Sequence, residues 1–542
     1  MKKIAKFLIV LGMMGQLSSC DYLDIVPDER AQESDTWKTE GAVRGYLYSC
    51  YGYLPANRTF GNSYWLAEEL TAVTKELFTT FKYGYYSPVS LGFTSNTWST
   101  IWNGIHQCYM FQESLKQVSN EYVTDEMKKQ YLAESNFLIA YYHFLSMRSY
   151  GPTMIIRSVI DLETPISGFP ERSSIDEVVA FINEKLDEAM SEGGLPTTWS
   201  GKDYGRATRL AALALKSRVY LYAASPLYNG NTEMYADFRS PLDGRQLIAQ
   251  EKSQAKWEIS ATQTKYAIDE VEKAKFHLYH DADAGEPSDA KPGLPNKAQR
   301  RLRYTNIDNQ TGNNPEIIWA DTRNDDYYGI QRRCPPRQTL GGKFAGISMT
   351  NCPTLQTIEA FYTKNGLPIN KDKTFDYDER YEYISAPENC DGNNYEDLVK
   401  YANFTPSSDK VMRLCTDREP RFYAWTTYHN GYFEFGKYNN EEISADPAKR
   451  AIRIHLLRDD PHGRGNRTDQ EYSISGFGNK KGVVPSAEWN VIEYPFPLFR
   501  LAELYLNYAE ALVELDRLSE AKVYLDKVRE RAGIPSVDEA WD

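Results

Sequence analysis

The chain has 542 residues, of which 41% are hydrophobic and 25% charged, and its formal net charge at pH 7 is −13. This is the composition of an ordinary globular protein. A net negative charge repels nucleic-acid phosphates and argues against DNA or RNA as a partner. The length admits several domains of about 150 residues each, but one large domain fits it as well.

The N-terminal segment has the pattern of a bacterial lipoprotein signal peptide, which predicts a mature chain of residues 20–542. Three lysines precede an apolar run at residues 7–15, about half of the roughly 20 residues that span a bilayer. The sequence LSSC at residues 17–20 has the form of a lipobox, which predicts cleavage before Cys20 and acylation of its thiol and amine. Two or more acyl chains hold a protein firmly on a membrane. The alternative is a free cysteine on an N-terminal helix.

Helical periodicity recurs along the chain. It predicts helices at residues 37–54, 98–118, 125–150, 174–190, 206–224, 262–280, 500–515 and 518–532. The last two form the clearest pair, with a turn at Asp516-Arg517. If a 34-residue tetratricopeptide unit starts at Ala502, its packing positions are occupied by Tyr505, Ala509, Ala521 and Leu525.

Residues 281–500 have a different composition, which is rich in Gly, Pro, Asn and Asp. Short apolar runs at 317–319 and 452–454 predict strands in small sheets. The fold class is therefore mainly α, a helical scaffold with long loops and small β elements on one face. Binding residues concentrate on loops that a rigid scaffold carries.

Aromatic residues are the compositional outlier, with 40 tyrosines and 10 tryptophans. This number exceeds what a core needs, and tyrosine combines an apolar face with a polar tip. Such rings stack against the C–H faces of sugars. The alternative, which we favour for most individual tyrosines, is packing in the seams between helices.

Cysteine and histidine spacing predicts no cofactor and no resident metal. We predict one disulfide, between Cys334 and Cys352, and buried thiols elsewhere, because no CxxC or cysteine–histidine spacing of a metal site is present. His277 and His280 would share a face of the predicted helix, but no third ligand accompanies them.

Six stretches together carry a resemblance to a known family. They read "CDYLDIVPDE", "WSTIWNGIHQC", "AESNFLIAYYHFLSMRSYGP", "GRATRLAALALKSRVYLYAASPLY", "NNPEIIWA" and "YPFPLFRLAELYLNYAEALVEL". The chain resembles the SusD/RagB family of Bacteroidota outer-membrane lipoproteins, from the lipobox nearly to its last residue. Family members usually continue with an ER-x-x-EL…EG-x-R…D-x-x-RW pattern. This chain ends at Trp541-Asp542, which predicts that its C-terminal end is incomplete.

The resemblance implies a SusD-like fold and a binding protein of polysaccharide utilisation rather than an enzyme. Such proteins are lipid-anchored on the cell surface, capture oligosaccharides and cover a SusC-like TonB-dependent transporter that imports them. RagB-like relatives that bind peptides share the same signatures and are the main alternative. A surface glycoside hydrolase is a third alternative, although the sequence has no G-x-S-x-G or H-E-x-x-H motif.

In this family the ligand contacts come from the loop before the "WSTIWNGI" helix and the loop after "EIIW". Here these loops read "TTFKYGYYSPVSLGFTSNT" and "DTRNDDYYGIQRRCPPRQTLGGKFAG". The candidate ligand-binding residues are Tyr83, Tyr85, Tyr86, Tyr327, Tyr328, Arg332 and Arg333. Burial under the loop is the alternative for each tyrosine. The two arginines suit an acidic glycan, but Asp325 and Asp326 would pair with them equally well, so the charge of the ligand stays open.

Overall fold

The computed structural model describes residues 37–55, 68–72, 94–161, 163–283, 297–308, 314–323, 329–336, 339–340, 343–344, 349–385, 410–434, 451–465, 472–484 and 493–542. Helices α1 to α14 are Glu40–Tyr51, Thr94–Leu115, Asp125–Tyr150, Ile175–Ala189, Arg209–Ala224, Thr232–Tyr235, Gln254–Lys273, Lys297–Tyr304, Ile330–Arg333, Leu355–Ala360, Pro420–Trp425, Leu501–Glu514, Leu518–Ala532 and Val537–Trp541.

Strands β1 to β14 are Leu70–Thr71, Thr153–Met154, Arg172–Ser173, Ile317–Asp321, Thr339–Leu340, Lys343–Phe344, Cys352–Pro353, Tyr383–Ser385, Lys410–Met412, Thr426–Thr427, Tyr432–Glu434, Ala451–Arg453, Gly478–Asn479 and Phe496–Arg500. Each pairs with one partner, in the orders β1-β7, β2-β3, β4-β14, β5-β6, β8-β9, β10-β13 and β11-β12. The prediction of a mainly α fold with small β elements is therefore confirmed.

The long helices pack side by side in nearly their chain order. From α1 to α5 each helix packs on the next, α5 packs on α7, α7 on α12 and α12 on α13. Their buried side chains form one continuous core that includes Val43, Phe137, Leu213 and Leu512. Helix α3 lies inside this stack, and residues 133–147 are buried on all its faces, as expected of a helix with neighbours all round.

Seven of the eight predicted helices are confirmed to within four residues at each end. The prediction of a helix at 262–280 is wrong in its bounds. The helix begins at Gln254, because the buried stripe continues back through Ala261 and Trp257, and it ends at Lys273. Lys275 has a left-handed backbone with φ 71°, which turns the chain away. His277 therefore lies after the helix and contacts Asp283 at 3.1 Å.

The C-terminal helix pair has the packing that the tetratricopeptide pattern predicts. Helices α12 and α13 pack on each other across a turn at Asp516, whose φ is 58°. Ala509 and Ala521 are 6% and 4% exposed, and small side chains at these points let the helix axes approach. Tyr505 is buried as well, and Leu525 is partly buried against the same core.

One antiparallel strand pair closes the helical scaffold around a long insertion. In this pair Phe496 lies opposite Asp321, and Phe499 opposite Trp319. The rings of Trp319 and Phe499 stack with centroids 5.8 Å apart and belong to the helical core. The described parts of the insertion, residues 322–495, form two-stranded sheets over small apolar clusters. The strands predicted at 317–319 and 452–454 correspond to β4 and β12.

The predicted disulfide is wrong, because Cys334 and Cys352 are both free and buried. The sulfur of Cys334 accepts a hydrogen bond from the Asn479 amide at 3.4 Å. The thiol of Cys352 donates instead to the carbonyl oxygen of Thr71 at 3.5 Å. The two sulfurs thus have separate partners on different strands. The prediction of buried thiols is confirmed for Cys50, Cys108 and Cys415, while Cys20 and Cys390 lie outside the described residues.

Candidate functional site

The structure describes only part of the two predicted ligand loops. Outside the described residues lie Tyr83, Tyr85 and Tyr86 of the first loop and Tyr327 and Tyr328 of the second. Arg332 and Arg333 are described, and both are half-buried in α9, within the second loop. Their contact with an acidic ligand stays a prediction.

A residue from before the first loop and residues from within the second meet in one apolar cluster. This loop-anchor cluster consists of buried Ala72, Ile330, Cys334, Phe433, Ile454 and Val483. Ala72 is the last described residue before the first loop, and Ile330 begins α9 within the second. A hydrogen bond of 3.0 Å from the Asn351 amide to the Arg333 carbonyl ties α9 to the strand that pairs with β1. The described part of the second loop is therefore held beside the segment that precedes the first.

Arg323 fixes the start of the second loop. Its guanidinium pairs with the Asp321 carboxylate at 2.7 Å. It also donates to the carbonyl oxygens of Leu54 and Pro55, each at 2.9 Å. Leu54 and Pro55 follow α1, so the second loop leaves the scaffold at a defined place beside that helix.

A cleft of about 320 Å³ lies next to this place. Its walls come from the linker between α4 and α5, the turn after α7, and strand β4. They include Trp199, Tyr204, Arg206, Phe276, Asn314 and Trp319. Gly205 has φ 99°, and a Cβ there would lie 2.8 Å from the Thr322 side chain, so only glycine permits this approach. Thr322 in turn leads into the second loop, so the cleft and the loop are neighbours.

A buried ion pair fixes the linker wall of the cleft. The Arg206 guanidinium contacts the Glu134 carboxylate at 2.5 Å and the Asp203 carboxylate at 2.8 Å. Glu134 is fully buried in α3 and also accepts the hydroxyl of Tyr51 at 2.6 Å. Burial raises the pKa of Glu134, although the bonds from Arg206 favour its charged form. The guanidinium carbon lies 4.1 Å from the centre of the Trp199 ring, which thereby has a fixed support.

A second cleft, of about 350 Å³, lies at the start of α2, where the first loop rejoins the scaffold. Its lining includes Trp98, Trp102 and His106 from α2, and Met154 and Phe169 from the segment after α3. The rings of Trp98 and Trp102 meet edge to face with centroids 5.3 Å apart. Trp98 is the first residue of the "WSTIWNGI" stretch, so this signature also borders a cleft.

Comparison with family models matches both parts of the chain. Residues 315–542 match the model described as SusD family, and residues 21–221 match one described as starch-binding, associating with outer membrane. The chain belongs to the SusD family. The comparison with curated proteins gives no match.

Solved structures of SusD-like proteins are similar over nearly the whole SusD-family chain. BT4246 is 28% identical, and its TM-score is 0.75. The match covers 92% of this chain and 83% of BT4246. A SusD-like protein from Bacteroides fragilis NCTC 9343 is 20% identical, with a TM-score of 0.64, and covers 94% and 82%. A SusD-like carbohydrate binding protein from the same strain is 17% identical, with a TM-score of 0.56, and covers 92% and 80%. The last two comparisons establish the fold alone.

Sequence reasoning missed the aromatic walls of the first cleft in this SusD-family protein. Trp199 and Tyr204 stand five positions apart in a short polar linker, and that spacing was the available signal. Nothing in the sequence brings Phe276 and Trp319 to the same place, because they come from distant segments that meet only through packing.

Two kinds of structure are absent from the described part of the chain. No helix there is long and apolar enough to cross a bilayer. Within the same residues, no group of three or more His, Cys, Asp or Glu side chains is placed to hold a metal ion.

Proposed function

We propose that this SusD-family protein captures oligosaccharides at the cell surface and delivers them, chemically unchanged, to a SusC-like TonB-dependent transporter in the outer membrane. Family membership supports carbohydrate binding. The observation that carries the choice of face is the loop-anchor cluster, which packs Ala72, upstream of the first loop, against Ile330 and Cys334 of the second. Loops with fixed ends lose less conformational entropy when they close on a ligand.

The ligand face proposed here consists of the two loops with Tyr83, Tyr85, Tyr86, Tyr327 and Tyr328, flanked by Arg332 and Arg333. Tyrosine suits this task because it presents a large, stiff apolar face and a hydroxyl at modest entropic cost. Helix α9 lies within the second loop, so the two guanidinium groups stand close in sequence to its tyrosines. This arrangement supports stacking on sugar rings with polar contacts at the edge.

Binding to defined glycans tests this proposal. An array of oligosaccharides and peptides, probed with residues 21–542, should return a glycan. Calorimetry with that glycan should then show a strong loss of affinity in the variant Tyr85→Ala/Tyr327→Ala, since dominant anchors contribute about 2 kcal/mol or more each. The matched control is Tyr122→Ala/Tyr266→Ala, which removes two exposed scaffold tyrosines and should leave affinity unchanged. Binding of peptides in place of glycans would favour the RagB-like alternative. Unchanged affinity in Tyr85→Ala/Tyr327→Ala would show that the site lies elsewhere.

We also propose that the protein is anchored to the outer membrane through acylated Cys20. The supporting observation is the lipobox at residues 17–20. The wild-type protein, expressed in a Bacteroidota host, should partition into the detergent phase, and Cys20→Ala should shift it to the aqueous phase. Cys415→Ala, which changes a buried thiol, should partition like wild type. Detergent partitioning by Cys20→Ala would rule out this anchor.

A further inference from the structure

We propose that the cleft between Trp199, Tyr204 and Phe276 is a second carbohydrate-binding site, which takes a sugar residue of the same glycan that the loop face captures. This inference rests on the proposed function. The cleft is built from the α4–α5 linker, the turn after α7 and strand β4, which all belong to the helical scaffold. None of its lining residues belongs to either of the two ligand loops.

The aromatic wall of the cleft is held in place before any ligand arrives. The indole nitrogen of Trp199 donates to the Ala207 carbonyl at 2.9 Å. Arg206 lies 4.1 Å from the ring centre and is itself held by Glu134 and Asp203. Since the ring has lost its freedom already, stacking a sugar on it costs little additional ordering.

The polar groups of the cleft are those that sugar hydroxyls require. No described residue forms a hydrogen bond with the Tyr204 hydroxyl, and burial raises the pKa of this group to about 12, so it is a donor at neutral pH. Thr197, Thr198 and Ser200 are exposed at the rim and add hydroxyl groups that both donate and accept. An aromatic wall with convergent hydroxyls distinguishes this cleft from a packing void, whose lining is apolar.

The size and position of the cleft fit one part of a longer glycan. Its volume of about 320 Å³ is at the lower end of the range for small-ligand sites. Ala320 lines the cleft, and the second loop starts at the next residue, Asp321. Tyr327 of this loop is seven residues from Ala320, a separation that a fully extended chain spans in at most about 25 Å. A single oligosaccharide of a few units can bridge such a distance, and two linked contacts raise affinity through effective concentration.

Fluorine NMR of protein labelled with 5-fluorotryptophan tests this site directly. The probes are hexasaccharides of α-1,4-glucan, β-1,3-glucan, β-1,4-galactan and α-1,6-mannan. At least one should shift the Trp199 resonance in a saturable manner, while the resonance of Trp541, which is 58% exposed on α14, should not move. The Trp199→Phe variant assigns the signal, and thermal melting verifies that it folds.

The hydroxyl of Tyr204 provides the second variant. Tyr204→Phe keeps the ring and removes one hydrogen-bonding group, so affinity for the active hexasaccharide should fall about five-fold. The inference is overturned if no hexasaccharide moves the Trp199 resonance, or if Tyr204→Phe binds like wild type.

The two proposals fail in distinguishable ways. If affinity depends on Tyr85 and Tyr327 while the Trp199 resonance stays fixed, the loop face is correct and the cleft is not a site. If the Trp199 resonance shifts while Tyr85→Ala/Tyr327→Ala binds like wild type, the cleft binds sugar and the loop face is wrong. If the protein binds none of the four glycans, the cleft proposal is overturned.

Discussion

The helical scaffold and the insertion between β4 and β14 are stabilised in different ways. The scaffold buries its apolar residues in one continuous core from α1 to α13. The described parts of the insertion contain separate clusters, such as the one around Phe422 and Tyr423 and the loop-anchor cluster. A continuous core distributes stability over many contacts, whereas a small cluster depends on a few residues. The second ligand loop thus leads from the continuous core into the region of separate clusters.

The buried charged groups of the two regions show the same difference. In the scaffold, Arg206 is neutralised by Glu134 and Asp203. In the insertion, Arg418 is 2% exposed and donates to backbone carbonyls of Leu414 and Ile358, at 2.6 and 2.7 Å. Burial lowers the pKa of Arg418. The scaffold arginine therefore joins side chains of different segments, and the insertion arginine organises irregular backbone.

The largest effect is expected from breaking the scaffold ion pair. Glu134→Ala removes the buried carboxylate that pairs with Arg206. It should lower the free energy of unfolding by about 3–5 kcal/mol. Glu184→Ala is the matched control, because Glu184 pairs with Arg157 at the surface, where both side chains are about half exposed; such pairs contribute at most about 1 kcal/mol. Urea unfolding followed by circular dichroism measures both. Equal stabilities of the two variants would contradict the role of the buried pair.

A smaller and more local effect is expected in the insertion. Arg418→Met leaves buried carbonyl groups without donors and should cost about 3 kcal/mol. Because the clusters of the insertion are separate from the helical core, the helical circular dichroism signal should persist while limited proteolysis cuts within residues 322–495. Lys364→Met, which changes an exposed cation in the same region, should leave the proteolytic pattern unchanged. Simultaneous loss of helical signal would show that scaffold and insertion unfold as one unit.

The scaffold was largely predictable because its helices bury one stripe at the 3.6-residue period. The alanine positions Ala509 and Ala521 even indicated where two helices approach. Prediction failed at α7, where the end of the helix is set by the left-handed backbone of Lys275, and a lysine gives no warning of that conformation. The Cys334–Cys352 pairing failed because nearness in sequence does not orient two thiols towards each other.

The candidate site was predictable only in part. The sequence indicated which loops carry aromatic residues, and it placed Arg332 and Arg333 in the second loop. The meeting of Ala72 with Ile330 joins residues more than 250 positions apart and has no local signature. The cleft at Trp199 likewise depends on three segments that only tertiary packing assembles.

The strand pair of β4 and β14 has a consequence for how such proteins diversify. The insertion leaves the scaffold after Asp321 and returns at Phe496, and these two residues lie opposite each other in the pair. A recombination event with both breakpoints at this pair would exchange the second ligand loop and the clusters that support it as one cassette. The helices would keep their neighbours, provided that the new cassette matched the surface around Leu302 and Ala532, where the insertion packs through Ala424. New ligand specificity would then arise by gene conversion in a single step.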